Sequence, residues 1–204
     1  MSVRVHYRRY RKPRELRDSG EGMPTYFHLD RGKSLSRGAV LGLGRHAATY
    51  KAFPAGISPH GERYLTRIFR VDIVDRTGVT HVVADRDTGL ELMWDWVRLT
   101  GYPHAPSRFQ SIFAFETLDD VAEFVTRHGG AGARLWLVET AAEGFRADMS
   151  LMRAGPMQSC LHWADLYWSQ QPHPRTAKAG EFFGRTLWEV LLTPPVTVIA
   201  RLDL

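Results

Sequence analysis

Cysteine is almost missing from this sequence, since Cys160 is the only one among its 204 residues. A single cysteine excludes an internal disulfide framework and fits a reducing compartment. The sequence also has no CxxC and no HExxH pattern, so the common zinc-binding spacings are absent and we predict no metal site. It has neither GxGxxG after a strand nor a P-loop pattern, which argues against a Rossmann site and against a P-loop nucleotide site.

Long hydrophobic runs are missing as well. No stretch approaches the roughly 18 consecutive apolar residues that a membrane-spanning helix needs, and the first residues lack the apolar segment of a secretory signal. Apolar residues make up 44% and charged residues 24% of the chain, as is usual for globular proteins. We therefore predict a cytoplasmic protein with no membrane partner. Residues 23–204 are expected to form a single domain with a substantial core.

Acidic residues are scarce at the N-terminus. Residues 1–20 hold seven basic and two acidic residues, a net charge of +5 that equals the excess of the whole chain. Tyr7 and Tyr10 lie among the arginines, and this mixture suits phosphate contact and base stacking. We predict that residues 1–22 form a basic arm that binds nucleic acid; the alternative is a solvated tail that only favours solubility. The expected contact residues are Arg8, Arg9, Arg11, Lys12 and Arg14.

Helix signals occur at three places. Apolar residues at helical spacing predict a helix over residues 87–100. Thr117, followed by Asp119 and Asp120, predicts a capped start to a second helix. A third helix is expected to follow Pro156, and residues 169–186 are predicted to form a long polar loop.

Strand signals alternate with these helices without a regular βαβ rhythm. Residues 64–74 fit a strand and an amphipathic helix equally well. The strands are predicted at residues 25–29, 108–115, 135–139, 187–192 and 195–202. This order favours an α+β fold with a split, mostly antiparallel sheet.

Polar residues interrupt the first of these strands and follow it. His28 lies in its middle, and Asp30, Arg31 and Gly32 come at its end. A guanidinium beside a flexible turn is suited to a diphosphate or to ribose hydroxyls, because arginine offers a fork of donors. The alternative for His28 is a hydrogen-bonded histidine at a sheet surface.

Two further strands carry candidate ligand-binding side chains. In an alternating strand Ser111 and Phe113 share a face, so the hydroxyl could bind a carboxamide while the ring stacks on a nicotinamide; otherwise Phe113 is ordinary core. Glu189 lies in an apolar run, where an acid is costly unless it has a partner or a function. Such a carboxylate could stabilise the oxocarbenium-like state formed when the ribose–nicotinamide bond breaks. The alternative is a glutamate paired with an arginine.

The order of these segments resembles the ADP-ribosyltransferase superfamily. It is most similar to the branch with a His–aromatic–Glu triad, which includes the poly-ADP-ribose polymerases, diphtheria toxin and the DNA-modifying toxins of bacterial toxin–antitoxin systems. The stretches that carry the resemblance are SIFAFETLDDVAEF and EVLLTPPVTVI, and it extends over residues 25–204. The resemblance implies an ADP-ribosyltransferase-like split sheet with NAD as substrate.

By this resemblance Glu189 would be the catalytic carboxylate, His28 would bind a ribose hydroxyl, and residues 169–187 would recognise the acceptor. Phe113 would replace a nicotinamide-stacking tyrosine, which keeps the ring and loses the hydroxyl. Leu187 stands where the arginine-modifying branch carries Glu and where the asparagine- or guanine-modifying branch often carries Gln. Leu187 therefore argues against simple transfer to protein arginine.

We therefore expect an NAD-dependent mono-ADP-ribosyltransferase that prefers a nucleic acid acceptor, DNA or RNA, with protein as the second choice. The resemblance further suggests a toxin or phage-defence effector with an antitoxin or immunity partner. One alternative is a non-catalytic nucleic-acid-binding module on the same fold. Another is an RNA 2′-phosphotransferase, for which Arg31 and Arg108 would be candidate phosphate ligands.

Overall fold

The structure is a computed structural model that describes residues 23–44, 53–65, 71–74, 76–83 and 86–202. The predicted basic arm, residues 1–22, lies outside the described residues, so nucleic acid binding by this arm stays a prediction. The arm residues concerned are Arg8, Arg9, Arg11, Lys12 and Arg14.

Within the described residues the chain forms nine strands, five α-helices and two short 3-10 turns. The strands are β1 (Thr25–Asp30), β2 (Val40–Leu41), β3 (Val71–Val74), β4 (Thr80–Val83), β5 (Ile112–Ala114), β6 (Arg134–Glu139), β7 (Phe145–Asp148), β8 (Trp188–Leu192) and β9 (Val196–Leu202). The helices are α1 (Pro59–Leu65), α2 (Arg86–Gly101), α3 (Leu118–His128), α4 (Met157–Trp168) and α5 (Ala177–Phe183). The 3-10 turns are Arg108–Gln110 and Met149–Leu151.

The strands form two larger antiparallel sheets and one hairpin. The first sheet has the order β1-β6-β9-β2, the second has the order β5-β8-β7, and β3 pairs with β4. The two larger sheets meet where β1 approaches β5, through a bridge in which Phe27 and Phe115 exchange two backbone hydrogen bonds of 2.8 Å. The prediction of an α+β fold with antiparallel strands is therefore confirmed.

Apolar side chains close the space around this seam. Residues of both sheets, such as Tyr26, Trp136 and Val190, pack into one buried cluster. Helices α2 and α4 cover the second sheet with Trp94 and Trp168, and the indole nitrogen of Trp168 donates to the carbonyl of Trp94 at 2.8 Å. The packing fixes β1, β5 and β8 relative to one another, and these are the strands that carry the predicted site.

The predicted helices are confirmed. Helix α2 covers residues 87–100 and extends one residue beyond them at each end. The hydroxyl of Thr117 accepts a hydrogen bond from the backbone of Asp120 at 3.1 Å, as an N-cap residue should, and Gly129 ends α3 with φ 74°. Helix α4 follows Pro156. None of the helices within the described residues is long and apolar enough to cross a membrane.

Two predictions of secondary structure are wrong in part. Residues 169–186 are not a continuous loop, because Thr176 caps a short helix, α5, which ends at Gly184. The strand predicted over residues 108–115 is shorter, because the hydroxyl of Ser107 accepts from the backbone of Phe109 at 3.2 Å and starts a 3-10 turn before β5. The ambiguous stretch 64–74 holds the end of α1 and all of β3.

Candidate active site

A cavity of about 610 Å³ lies at the seam between the two sheets, under α1 and α2. Four of the five residues that the sequence predicted to contact NAD line it together. Three of them come from strands far apart in the chain, Arg31 lies in the turn after β1, and α3 adds part of the wall. The four residues are His28, Arg31, Phe113 and Glu189.

Ser111 is the exception. Its side chain is buried, and its hydroxyl donates to the carbonyl of Ser107 at 2.7 Å, so it stabilises the turn before β5. It does not line the cavity. The predicted strand alternation failed here because Ser111 ends the 3-10 turn and lies outside β5. We therefore withdraw the assignment of Ser111 to a carboxamide.

His28 is held by the neighbouring sheet. Its Nδ1 lies 2.8 Å from the carbonyl oxygen of Phe113, and a carbonyl can only accept, so Nδ1 carries the proton. Burial lowers the pKa of His28 from its ordinary value, although this hydrogen bond and Asp30 oppose the shift. The ring is therefore neutral at pH 7, and its Nε2 is a hydrogen-bond acceptor.

Glu189 is buried, with 2% of its surface exposed, although it contributes to the cavity wall. Its Oε1 accepts from the hydroxyl of Tyr167 at 2.7 Å and from Nη1 of Arg108. Burial raises the pKa of Tyr167 well above its ordinary value, and Glu189 adds to the shift, so the phenol stays protonated and donates. Glu189 is thus paired with an arginine, as expected from the alternative in which this glutamate is structural.

Arg108 is the centre of a buried charge network. Its Nε and Nη2 bind both oxygens of Glu91, at 2.8 and 3.0 Å, and its Nη1 binds Tyr167 and Glu189. Burial alone would lower the pKa of Arg108, but the carboxylates of Glu189 and Glu91 outweigh burial and raise it. All three guanidinium nitrogens are engaged with protein groups, so Arg108 is not placed to bind a phosphate.

Glu91 is a residue that sequence reasoning missed. It lies on α2 and is buried, which would raise the pKa of its carboxyl, but the charge of Arg108 holds that pKa far below its ordinary value, and the contact with His60 adds to the shift. Glu91 therefore remains a carboxylate in the folded protein. Together Glu91, Glu189 and Arg108 carry a net charge of −1 beside the cavity.

Acid should destabilise the protein through Glu91. Since its folded-state pKa is depressed, its contribution to the free energy of unfolding is fully present above the ordinary value of about 4.5 and is lost as the pH falls below it. We expect the free energy of unfolding, measured with a chemical denaturant at pH 7, 5, 4 and 3, to show this loss. In Glu91→Gln the free energy of unfolding should fall less steeply over the same pH range. Glu143→Gln, at an exposed position, is the matched control. An equally steep fall of the free energy of unfolding in Glu91→Gln would show that Glu91 is not the source of this pH dependence.

The ring of Phe113 is partly covered by protein groups. The guanidinium carbon of Arg108 lies 4.7 Å from its centroid, and the imidazole of His60 lies 4.4 Å away at a tilt of 41°. Tyr64 lies next to His60, at 4.8 Å between centroids. A ligand that packs on the remaining part of Phe113 is therefore placed beside His60.

The cavity mouth is cationic. Arg31 and Arg63 line it, and Arg31 donates to the carbonyl of His128 at 3.4 Å while its guanidinium lies over Phe124. Burial lowers the pKa of His128, and Arg31 adds to the shift. Unlike Arg108, Arg31 is exposed, and its guanidinium is suited to bind an anion.

The predicted acceptor-recognition segment does not form part of the cavity wall. None of residues 169–187, all of which the structure describes, contributes to the lining. Leu187 is fully buried, and its backbone N–H donates to Asp148 at 3.2 Å. Within the described part of the chain, no group of three or more His, Cys, Asp or Glu side chains is placed to hold a metal ion.

Comparison with models of protein families identifies a match for most of the chain. The sequence model of a family described as "Protein of unknown function (DUF2441)" matches residues 26–199, whereas no curated protein matches the chain. The matched range runs from β1 into β9 and includes His28, Phe113 and Glu189. The chain therefore belongs to this family of proteins of unknown function, DUF2441.

Proposed function

We propose that the protein is an NAD-dependent mono-ADP-ribosyltransferase. The observation that carries the proposal is the meeting of His28, Phe113 and Glu189 at one cavity. These residues come from three separate strands, and they are the ones that the resemblance to ADP-ribosyltransferases selects.

The arrangement of the sheets supports an ADP-ribosyltransferase-like split fold. The resemblance implies a split, mostly antiparallel sheet, and here two antiparallel sheets meet at the bridge between Phe27 and Phe115. His28 and Phe113 lie next to this bridge, on β1 and β5. The hydrogen bond between them therefore spans the split at the point where NAD is proposed to bind.

The cavity offers a partner for each part of the reactive half of NAD. Its volume is within the range of small-molecule sites. Nicotinamide would pack on the uncovered part of Phe113, and a ribose hydroxyl would donate to Nε2 of His28. Arg31 and Arg63 at the mouth would bind the diphosphate, because guanidinium groups form charge-assisted hydrogen bonds to phosphate.

Glu189 would act on the developing cation. As the bond between the ribose C1′ and the nicotinamide nitrogen breaks, nicotinamide leaves with the electron pair and positive charge grows on the ribose. Both hydrogen bonds that the described residues make with Glu189 end on Oε1, so Oε2 is the oxygen left to meet the ribose. The net negative charge of the network would stabilise the cation, because solvent screens buried charges only weakly.

Nucleic acid is the proposed acceptor. The basic composition of residues 1–20 and the arginines at the cavity mouth both favour a polyanion. A protein acceptor is the second choice, although Leu187 argues against arginine. A cytoplasmic toxin or phage-defence role, with an antitoxin or immunity partner, is part of the same proposal and is suggested by the resemblance.

One observation favours a second candidate, a non-catalytic nucleic-acid-binding module. A purely structural Glu189 would be paired as this one is, with Arg108 and Tyr167. The RNA 2′-phosphotransferase alternative is less favoured, because the nitrogens of Arg108 are engaged with Glu91, Tyr167 and Glu189.

The proposal is tested by nicotinamide release from NAD. The full-length protein is incubated with NAD alone and with single-stranded DNA, RNA or a bacterial lysate. Release that one of these additions stimulates supports a transferase and indicates its acceptor class. Release without any addition indicates NAD hydrolysis or a transferase that also passes ADP-ribose to water. A folded protein that releases no nicotinamide under any condition refutes the proposal and leaves the binding module.

His28→Ala should weaken NAD binding. It removes one hydrogen bond to the ribose, which is worth about 1.4 kcal/mol or a 10-fold change in affinity, so we expect KM for NAD to rise about 10-fold. His104→Ala, at an exposed position, is the control and should leave KM unchanged. An unchanged KM in His28→Ala would remove His28 from the proposed NAD site.

A further inference from the structure

We propose that His60, supported by Glu91, is the general base that takes the proton from the acceptor during ADP-ribosyl transfer. This inference rests on the proposed function. It assigns a catalytic role to a side chain that neither the sequence pattern nor the resemblance selected.

His60 is placed in the cavity by the first turn of α1. Its Nε2 lies 3.0 Å from Oε1 of Glu91, and 20% of its side chain is exposed while Glu91 is buried. Glu91 is itself fixed by both hydrogen bonds from Arg108. The imidazole is therefore part of the cavity wall. One of its nitrogens lies beside the carboxylate of Glu91, which Arg108 holds in place.

The contact with Glu91 determines which nitrogen carries the proton. Two lone pairs facing each other at 3.0 Å would repel, so the neutral imidazole is most stable with its proton on Nε2, toward the carboxylate. Nε2 is buried and lies close to the carboxylate without the alignment of a hydrogen bond. A small rotation of the ring would align it, as catalytic hydrogen bonds often tighten only when a ligand binds. The lone pair is then on Nδ1, the nitrogen free to accept a proton.

The ring contacts of His60 place its imidazole near the reacting bond. The imidazole lies 4.4 Å from Phe113, against which the nicotinamide is proposed to pack. The ribose C1′ is bonded directly to the nicotinamide ring, so it enters the cavity beside His60. Glu189 lines the same cavity, and its carboxylate has a separate role, because it stabilises the ribosyl cation.

The proposed step is the transfer of ADP-ribose from NAD to the acceptor. The bond between C1′ and the nicotinamide nitrogen breaks, and neutral nicotinamide leaves with the electron pair. The acceptor oxygen or nitrogen forms its bond to C1′ and gives its proton to Nδ1 of His60. The carboxylate of Glu91 stabilises the resulting imidazolium, which later releases the proton to water. No other reactant is needed.

The test separates transfer from NAD cleavage. Label from the ADP-ribose part of NAD is followed into single-stranded DNA, RNA and the macromolecules of a bacterial lysate, and nicotinamide release is measured without acceptor. His60→Gln keeps an N–H that reaches toward Glu91 but has no basic nitrogen. We expect it to lower label incorporation about 100-fold while acceptor-free release stays within about threefold of the wild-type rate.

Two controls accompany this variant. His104→Gln removes an exposed histidine and should change neither activity. His60→Ala should lose incorporation and regain part of it when imidazole is added to the buffer, because a dissolved base can enter the space left by the ring. Thermal unfolding of each variant shows that the fold is retained.

Three results would overturn the role of His60. Wild-type incorporation by His60→Gln would mean that the residue only positions Glu91, and an equal fall in both activities would mean that it acts on NAD. Nicotinamide release by the wild type without any labelled macromolecule would leave no acceptor to activate. Absence of release from the wild type is a different failure, because it refutes the proposed function itself.

Discussion

Replacing Glu189 by Gln is expected to lower nicotinamide release from NAD by about 100- to 1,000-fold, the range observed when one preorganised electrostatic contact to a transition state is removed. The glutamine has nearly the same shape and still offers an oxygen to Tyr167 and Arg108, but it carries no charge. The net charge of the network with Glu91 changes from −1 to zero. The developing ribosyl cation therefore loses its counter-charge.

The rate is measured as nicotinamide formed per enzyme in the presence of the acceptor that gives the fastest wild-type reaction. Glu143→Gln removes an exposed carboxylate and should retain the full rate. Binding of NAD to Glu189→Gln, measured by calorimetry, should change by less than the rate does. A variant that is folded and as active as the wild type would show that Glu189 is structural and would favour the nucleic-acid-binding module.

The helical part of the fold could be predicted because its signals are local. The apolar spacing in α2 and the cap at Thr117 lie within a few residues of each other and gave both helices. Thr176 and Gly184 were equally local signals for α5. They were missed because only seven residues separate them, and so short a helix shows little periodicity.

The candidate site could be predicted only in part, because its charges are paired over long distances in the sequence. Asp87, Glu91 and Asp95 recur at intervals of four, beside the apolar face of α2, which is typical of a solvent-exposed helix face. Glu91 and Asp95 are nevertheless buried. Asp95 accepts from Ser107 at 2.8 Å, and Glu91 binds Arg108, both on the segment that precedes β5. No local pattern reveals these partners.

Burial also explains which predicted residues changed role. Arg31 and Arg108 were equivalent in the sequence as cations near strands, but Arg31 is exposed and Arg108 is 2% exposed. A buried guanidinium requires carboxylate partners, and Glu91 and Glu189 provide them. Arg31 is therefore accessible to a ligand at the cavity mouth, whereas Arg108 neutralises buried carboxylates within the protein.

Replacing Arg108 by Met should lower the free energy of unfolding by about 3–5 kcal/mol, the usual cost of removing one member of a buried charge network. Methionine fills similar space but leaves Glu91 and Glu189 buried without their shared cation. Because domains are typically stable by about 5–15 kcal/mol, this loss is a large part of the total. Urea unfolding at pH 7, followed by tryptophan fluorescence, measures it.

The exposed pair between Arg146 and Glu116 provides the matched control. Both side chains are more than 40% exposed, and removing such a pair costs about 1 kcal/mol at most, so Arg146→Met should unfold near the wild-type urea concentration. A second comparison isolates the network itself: Glu91→Gln combined with Arg108→Met should cost less than the sum of the two single changes, since one uncompensated carboxylate is removed. If the costs simply add, or if Arg108→Met costs no more than Arg146→Met, the buried network does not hold Glu189 in place. Its position in the cavity would then depend on Tyr167 and on the pairing of β8 with its neighbours.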